Sequence, residues 1–156
     1  MAKIYISSTY EDLKKEREAA AQAVRRLGHT TIAMEDDVAA DKRPLDKCLE
    51  DVRNCDAYIG IFAWRYGHIP KGHKRSITHL EYEEAKKAGK ECLIFLLDAK
   101  APWPVEKVDK GEAGEKIDRL RSQLQENHTV SFFANYGELS GLPIGRISHR
   151  LLSMRQ

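Results

Sequence analysis

The chain has 156 residues, of which 42% are hydrophobic, so length and composition correspond to one domain with one core. Lysine and arginine number 26 against 24 aspartates and glutamates, and the basic residues are spread along the sequence, which counts against a nucleic-acid binder. The start lacks the apolar core of a signal peptide, and no apolar stretch approaches the roughly 20 residues that span a bilayer. We therefore expect residues 1–156 to form a single cytoplasmic domain without membrane partners.

Short apolar runs alternate with amphipathic stretches, a pattern typical of strands separated by helices. The first strand is predicted at residues 3–7, an amphipathic helix follows, and Gly28 is placed to end that helix. A second strand is predicted at residues 30–34, running into the acidic residues 35–37. The stripe of the first helix that should face the sheet comprises Leu13, Arg17, Ala20, Val24 and Leu27.

The second half of the chain continues the alternation. Pro44 fits the first turn of a second helix, and the apolar run 57–63 predicts a central third strand covered on both faces. The remaining elements are predicted as a third helix at 76–90, a fourth strand at 92–97, a fourth helix at 115–126, a fifth strand at 129–133 and a last helix from about residue 142.

Strands that alternate with helices imply right-handed βαβ units and a doubly wound sheet. We expect an α/β, flavodoxin-like fold with five parallel strands in the order 2-1-3-4-5. In such a sheet the ligand crevice lies at the carboxyl edge, between the first and third strands. That edge would gather residues 7–9, 35–37 and 64–67.

The three cysteines, Cys48, Cys55 and Cys92, lack short metal-ligand spacings, and their odd number suits reduced thiols better than a disulfide framework. We interpret them as small core hydrophobes and expect no metal site.

Ser8 and Thr9 lead into the first helix, whose free amides and positive dipole end suit a phosphate. A hydroxyl that caps the helix is the alternative, and the two roles are compatible. The sequence has neither a Gly-x-Gly-x-x-Gly run nor a Walker-type lysine loop, which disfavours dinucleotide-dependent dehydrogenases and P-loop NTPases. No cofactor is expected.

Arg17 places a guanidinium on a stripe where an aliphatic side chain is expected, and a charge so placed needs a partner. It either supports a site or, for structural reasons, pairs with a carboxylate or extends its head to the surface.

Glu81 is the candidate catalytic residue. Its spacing from Thr78, Ala85 and Ala88 puts it on the sheet-facing side of the third helix, within reach of the carboxyl edge. The structural alternative is a capping box, in which Thr78 caps the helix and Glu81 satisfies the amide of Thr78. Ser76 as the cap would remove that alternative.

Further candidates follow the second and third strands. Trp64 and Tyr66 offer aromatic surface for a base, Arg65 offers a cation for a phosphate, and Asp36 offers an acceptor for ribose hydroxyls. Each also has an ordinary explanation as edge packing or solvated surface.

Several segments together resemble a known family. These are Ile4 to Thr9 with Asp12-Leu13 and Glu16-Arg17, then Arg65-Tyr66-Gly67, then Ser76 to Thr78 with Glu81-Tyr82 and Ala85, and finally Gly89-Lys90. They resemble a domain of unknown function often found amino-terminal to NACHT-type and other STAND ATPases, within the group that unites TIR domains with nucleoside 2-deoxyribosyltransferases.

The resemblance implies cleavage of an N-glycosidic bond in NAD or a related nucleotide, in bacterial defence or signalling, with Glu81 at the anomeric carbon. The alternative is a non-catalytic module that oligomerises or senses a nucleotide. The implied partners are NAD or another nucleotide, further copies of the chain, or a STAND-type ATPase. We assign substrate binding to Ser7, Ser8, Thr9, Asp36, Trp64, Arg65, Tyr66 and Ser76, and a supporting role to Arg17, Thr78 and Tyr82.

Overall fold

The computed structural model describes residues 1–32 and 44–141. Short 3-10 turns at Val105–Lys107 and Tyr136–Ser140 accompany the regular elements. Within the described ranges these elements are β1 (Lys3–Ser7), α1 (Lys14–Arg26), β2 (Thr30–Ile32), α2 (Leu45–Asn54), β3 (Ala57–Phe62), α3 (Ile77–Lys87), β4 (Glu91–Leu97), α4 (Gly111–Asn127) and β5 (Ser131–Phe133).

The five strands form one parallel sheet in the order β2-β1-β3-β4-β5. Ile6 of β1 pairs with Ile59 of β3, and Ile59 pairs with Leu93 of β4. The flavodoxin-like fold and the strand order predicted from the sequence are confirmed. All five carboxyl ends therefore meet at one edge of the sheet.

Hydrophobic cores lie on both faces of the sheet because successive side chains of a strand point to opposite sides. Ile4 and Ile6 of β1 pack with α1 on one face. Tyr5 of the same strand packs on the other face, with residues of α2, α3 and α4. Every residue of β3 is buried, as expected of the central strand.

The end of α1 differs from the prediction. The helix stops at Arg26, and Leu27, predicted to face the sheet, is 42% exposed as the C-cap residue. Gly28 adopts a φ of +85°, and its amide bonds to the Arg25 carbonyl oxygen at 2.9 Å. The predicted stop at Gly28 is confirmed, since a left-handed residue after a helix favours glycine.

Other boundaries shift by a few residues. The fourth helix starts at Gly111, four residues before the prediction, and the fifth strand starts at Ser131. Residues 33–34 of the second strand, the acidic cluster 35–37 and the last helix from about residue 142 lie outside the described residues.

The three cysteines are free thiols. Cys48 and Cys55 are buried, which confirms them as core residues, whereas Cys92 is only half-buried. Burial raises the pKa of the Cys55 and Cys92 thiols to about 11. Among the described residues, no helix has both the length and the apolar character needed to cross a membrane.

Candidate active site at the carboxyl edge

Glu81 lies in the second turn of α3, on the face that the helix packs against the sheet. Its neighbours on that face, Thr78, Tyr82 and Ala85, are buried as well. Glu81 itself is only 6% exposed, although a carboxylate is among the groups that resist burial most strongly. The prediction that Glu81 faces the sheet is confirmed.

Both carboxylate oxygens of Glu81 accept hydrogen bonds from side chains of β1. The Tyr5 hydroxyl donates to Oε2, and the Ser7 hydroxyl donates to Oε1 at 2.7 Å. These bonds hold the carboxylate above the end of β1 and fix its direction. A buried acid is accommodated in this way when donors on a neighbouring element meet it.

The amino terminus of α3 is capped independently of Glu81. Ser76 is the N-cap residue, and its Oγ accepts from the His79 amide at 3.2 Å. The capping-box interpretation of Thr78 and Glu81 is therefore wrong. Its physical basis is absent because Thr78 is already a helical residue, and Glu81 lies two residues beyond the position that reaches back to the cap.

Tyr5 is a site residue that our sequence interpretation missed. It alternates with Ile4 and Ile6, so its side chain leaves β1 on the α3 side. The available signal was a phenol in the middle of a strand that becomes buried, since a buried tyrosine hydroxyl usually has a hydrogen-bonding partner.

Two further tyrosines continue the row of aromatic rings that begins at Tyr5. The Tyr5 ring stacks on Tyr58 of β3 with centroids 6.5 Å apart, and Tyr58 lies 6.3 Å from Tyr82 of α3. The Tyr82 hydroxyl contacts His128 Nε2 at 2.7 Å. Among the described residues the Tyr58 hydroxyl has no partner of good geometry, although Ser7 lies beside it. Burial raises the pKa of Tyr58 well above its ordinary value.

Arg17 is buried, 2% exposed, so its head does not extend to the surface. Nη1 donates to Ser8 Oγ at 2.9 Å and lies 3.4 Å from the Ser8 carbonyl, while Nη2 donates to the Ile6 carbonyl at 3.3 Å. Arg17 therefore braces the turn that follows β1 and holds Ser7 in place beneath Glu81.

Arg121 of α4 plays the same part on the other side of the crevice, and the sequence analysis did not find it. Its guanidinium donates to the carbonyls of Phe62, Ala63 and Leu97, at 3.3, 3.2 and 2.6 Å. These carbonyls end β3 and β4. Burial lowers the pKa of Arg121 to about 10. A charged residue in the middle of an otherwise polar helix gave no pattern by which to identify it.

Trp64, Arg65 and Tyr66, the candidates that follow β3, mainly contact other side chains of the domain. Trp64 lies under the Arg121 guanidinium, with Cζ 3.9 Å from the ring centroid. The Tyr66 hydroxyl contacts His79 Nδ1 at 2.7 Å, and Arg65 Nε lies 3.9 Å from an Asp109 oxygen. These contacts favour edge packing for Trp64 and Tyr66, while Arg65 keeps part of its surface exposed.

Gly67 marks the point where the ends of β1 and β3 meet the start of α3. It has a φ of +95°, and a Cβ there would lie 3.0 Å from Thr9 Cγ2, 3.7 Å from Thr78 Oγ1 and 3.8 Å from Ser76 Cβ. Both the backbone conformation and the close approach require glycine. Thr9, Ser76 and Thr78 are thus gathered at one place above Glu81.

Ser8 and Thr9 do not cap the first helix. Leu13 is the N-cap residue of α1, with no side-chain cap, so that interpretation is wrong. The Ser8 hydroxyl is engaged with Arg17 and donates to the Thr9 carbonyl at 2.6 Å, which favours a structural role. Asp36 lies outside the described residues.

Residues 3–142 match a family described as "Domain of unknown function (DUF4062)". This chain belongs to the DUF4062 family. The prediction of a domain of unknown function is confirmed; the relation to TIR domains and the STAND context stay predictions.

Curated relatives of this DUF4062 domain include telomerase protein component 1 of Mus musculus and of Rattus norvegicus. Each is 23% identical over 187 aligned residues that cover 92% of the chain. The chain spans about 7% of the length of these relatives.

Several solved structures are similar to the DUF4062 domain. The flavodiiron core of Flv1 from Synechocystis sp. PCC6803 has a TM-score of 0.50 and 15% identity, covering 99% of this chain and 36% of that one. The CMP N-glycosidase BcmB from Clostridium botulinum has a TM-score of 0.48 and 14% identity, covering 94% and 98%. A flavodoxin-like domain from Synechococcus sp. has a TM-score of 0.47 and 14% identity, covering 96% and 99%.

Proposed function

We propose that this DUF4062 domain cleaves the N-glycosidic bond of a nucleotide, with NAD as the substrate to test first and Glu81 as the carboxylate at the anomeric carbon. The observation that carries the proposal is the buried Glu81 carboxylate, held by Tyr5 and Ser7 rather than by its own helix end. A carboxylate kept at the carboxyl edge of a parallel sheet lies where ligands of this fold bind.

Cleavage of the glycosidic bond of NAD requires only one carboxylate in this proposal. When the C1′–N bond of NAD breaks, its electron pair neutralises the pyridinium nitrogen and nicotinamide leaves without needing a proton. The ribose is left with oxocarbenium character, which Glu81 stabilises or captures through a covalent C1′–O bond. Water then adds its oxygen to C1′ and releases a proton, giving ADP-ribose; where the covalent bond to Glu81 has formed, that bond breaks in the same step and the carboxylate is regenerated.

Tyr5 and Ser7 act as positioning residues in this proposal. An ionised carboxylate has about four lone-pair sites, so two hydroxyl donors leave room for an interaction with the developing positive charge. Because both donors lie on β1, the direction of the carboxylate is set before substrate binds, as electrostatic stabilisation of a transition state requires.

A non-catalytic module is the second candidate, favoured by the same two hydrogen bonds. A carboxylate that already has a partner at each oxygen is also a stable structural element. In that role the domain binds a nucleotide signal or joins further copies of the chain or a STAND-type ATPase in defence or signalling.

Nicotinamide release from NAD, measured by chromatography at low and high protein concentration, tests the first proposal. The concentration series is needed because assembly of several chains is part of the expectation. Glu81→Gln should lower the rate at least about tenfold, a modest loss for a catalytic group. Glu84→Gln is the matched control, since this half-buried carboxylate of the same helix pairs with Arg53 at 2.9 Å.

The two candidates separate in the same experiment. Equal rates in the parent and the Glu81→Gln variant would remove Glu81 from the mechanism. Calorimetric binding of NAD without product would favour the sensor, and a change in mass by light scattering without turnover would favour the assembly module.

A further inference from the structure

A second cavity, of about 420 Å³, opens at the same edge of the sheet between the start of α1, the segment that joins β4 to α4, and the residues after β5. Glu81, Tyr5 and Ser7 are not among the residues that line it. The wall includes Asp12, Glu16, Trp103, Lys107, Asn135 and Tyr136.

Asp12 is the unusual group in this wall. It is 2% exposed, and among the described residues neither carboxylate oxygen has a hydrogen-bonding partner of good geometry. The Thr9 hydroxyl and the amide of Asp12 lie beside it, close enough to favour the charged form. A buried acceptor left in this condition destabilises the fold, so its retention needs another reason.

Trp103 supplies a donor in the same wall. Its indole Nε1 is buried and has no acceptor among the described residues. The Lys107 ammonium lies 5.5 Å from the Trp103 ring centroid. Burial raises the pKa of Asp12 and Glu16, and the nearby charge of Lys107 only partly opposes this increase. The Lys107 side chain therefore lies in the same wall as an acceptor and a donor that lack partners of good geometry among the described residues.

The charges around the cavity balance, so its net charge favours neither an anion nor a cation. Three acidic residues, Glu11, Asp12 and Glu16, and three basic ones, Lys14, Lys15 and Lys107, line it, so its formal charge is zero. A neutral ligand that both donates to Asp12 and accepts from Trp103 satisfies the two groups. Hydroxyl groups do both.

We propose that this cavity binds a neutral polyhydroxylated ring, either a free sugar or the ribose of a nucleoside. Hydroxyls of the ring bond to the Asp12 carboxylate and the Trp103 indole. Its carbon face packs on the apolar surfaces of Trp103, Tyr136 and the prolines Pro102 and Pro104.

Isothermal calorimetry with D-glucose, D-ribose and adenosine tests the proposal and separates its two ligand sources. Binding of the sugars identifies a sugar site, and binding of adenosine alone identifies a nucleoside site. Asp12→Asn and Trp103→Phe should each weaken binding at least about tenfold, since the first replaces a charged acceptor oxygen with an amide donor and the second removes the indole donor. Glu112→Gln, on an 83% exposed side chain of α4, should bind as the parent does.

The melting temperature of the Asp12→Asn variant distinguishes a ligand-binding role of Asp12 from a structural role. Asp12→Asn should melt at the same temperature as the parent or higher, because the parent buries a carboxylate without partners. Absence of binding by all three compounds at about 10 mM, or unchanged binding by both variants, would overturn the proposal. Glu81→Gln should retain binding here, so failure of the glycosidic proposal leaves this one standing.

Discussion

The Tyr5 hydroxyl donates a hydrogen bond to the Glu81 carboxylate across 76 positions of sequence. This hydrogen bond connects the middle of β1 to the second turn of α3, and Ser7 donates a second hydrogen bond to Glu81 from the end of the same strand. The direction of the acid is therefore set by the sheet rather than by its own helix. The chemical proposal depends on this relationship.

Tyr5→Phe should lower nicotinamide release at least about tenfold and the free energy of unfolding by about 1 to 3 kcal/mol, because a buried carboxylate oxygen loses its donor. Tyr58→Phe is a closely matched control, since the two rings stack on each other and the Tyr58 hydroxyl lacks a partner of good geometry among the described residues. Urea denaturation and the rate assay measure both effects. Equal losses in the two variants would show that the loss of any buried hydroxyl at this stack, and not the hydrogen bond to Glu81 in particular, causes the effect.

Ser76→Ala should lower the free energy of unfolding by about 1 kcal/mol, the usual effect of losing an N-cap side chain. Thr78→Val keeps the volume of its side chain and removes only a hydroxyl that does not cap α3, so we expect a smaller loss. Thermal unfolding of the two variants compares them directly. A larger loss for Thr78→Val would restore the capping box that the structure contradicts.

Arg121→Met should lower the free energy of unfolding by about 2 kcal/mol or more, because the carbonyls of Phe62, Ala63 and Leu97 lose a donor where β3 and β4 end. Arg119→Met, on an exposed residue of the same helix, should change it by no more than about 0.5 kcal/mol. Chemical denaturation of both variants tests the difference. Similar stabilities would mean that the buried guanidinium contributes little beyond its own desolvation.

The buried acids near α1 predict a dependence of stability on pH. Burial raises the pKa of Asp12 above its ordinary 3.8, and the positive charges of Arg65 and Lys107 only partly oppose this increase. Burial also raises the pKa of Glu16 above its ordinary 4.5. The Asp12 charge adds to that increase, while Lys107 and Lys15 oppose it. The folded chain therefore holds these protons more tightly than the unfolded chain. This contribution to stability is complete below the unfolded pKa values and is lost as pH rises through the folded ones.

Asp12→Asn removes the part of this pH-dependent loss of stability that comes from Asp12. The variant's free energy of unfolding minus that of the parent should therefore be larger (the variant relatively more stable) at about pH 7 than at about pH 3.5. Urea denaturation at the two pH values gives the comparison, and Glu112→Gln again serves as the exposed control. An equal difference at both pH values would show that Asp12 ionises normally in the folded chain.

The strand order followed from the connection rules of βαβ units. Local patterns in the sequence determined the strands and the side of α3 on which Glu81 lies. Apolar runs such as 57–63 predict buried strands, and helical spacing places Glu81 on the same helix face as Thr78 and Ala85. These properties follow from which residues repeat along a strand or a helix. They require no knowledge of which elements touch.

Partners that lie far apart in the chain were decided only by the tertiary structure. Tyr5 and Glu81 meet because β1 lies beside β3 in the sheet and α3 crosses back over both. Arg121 reaches the ends of β3 and β4 from a helix nearly 60 positions later than Phe62. No local pattern encodes such contacts, because hydrogen bonds between distant segments depend on how the elements pack rather than on the spacing within any one of them.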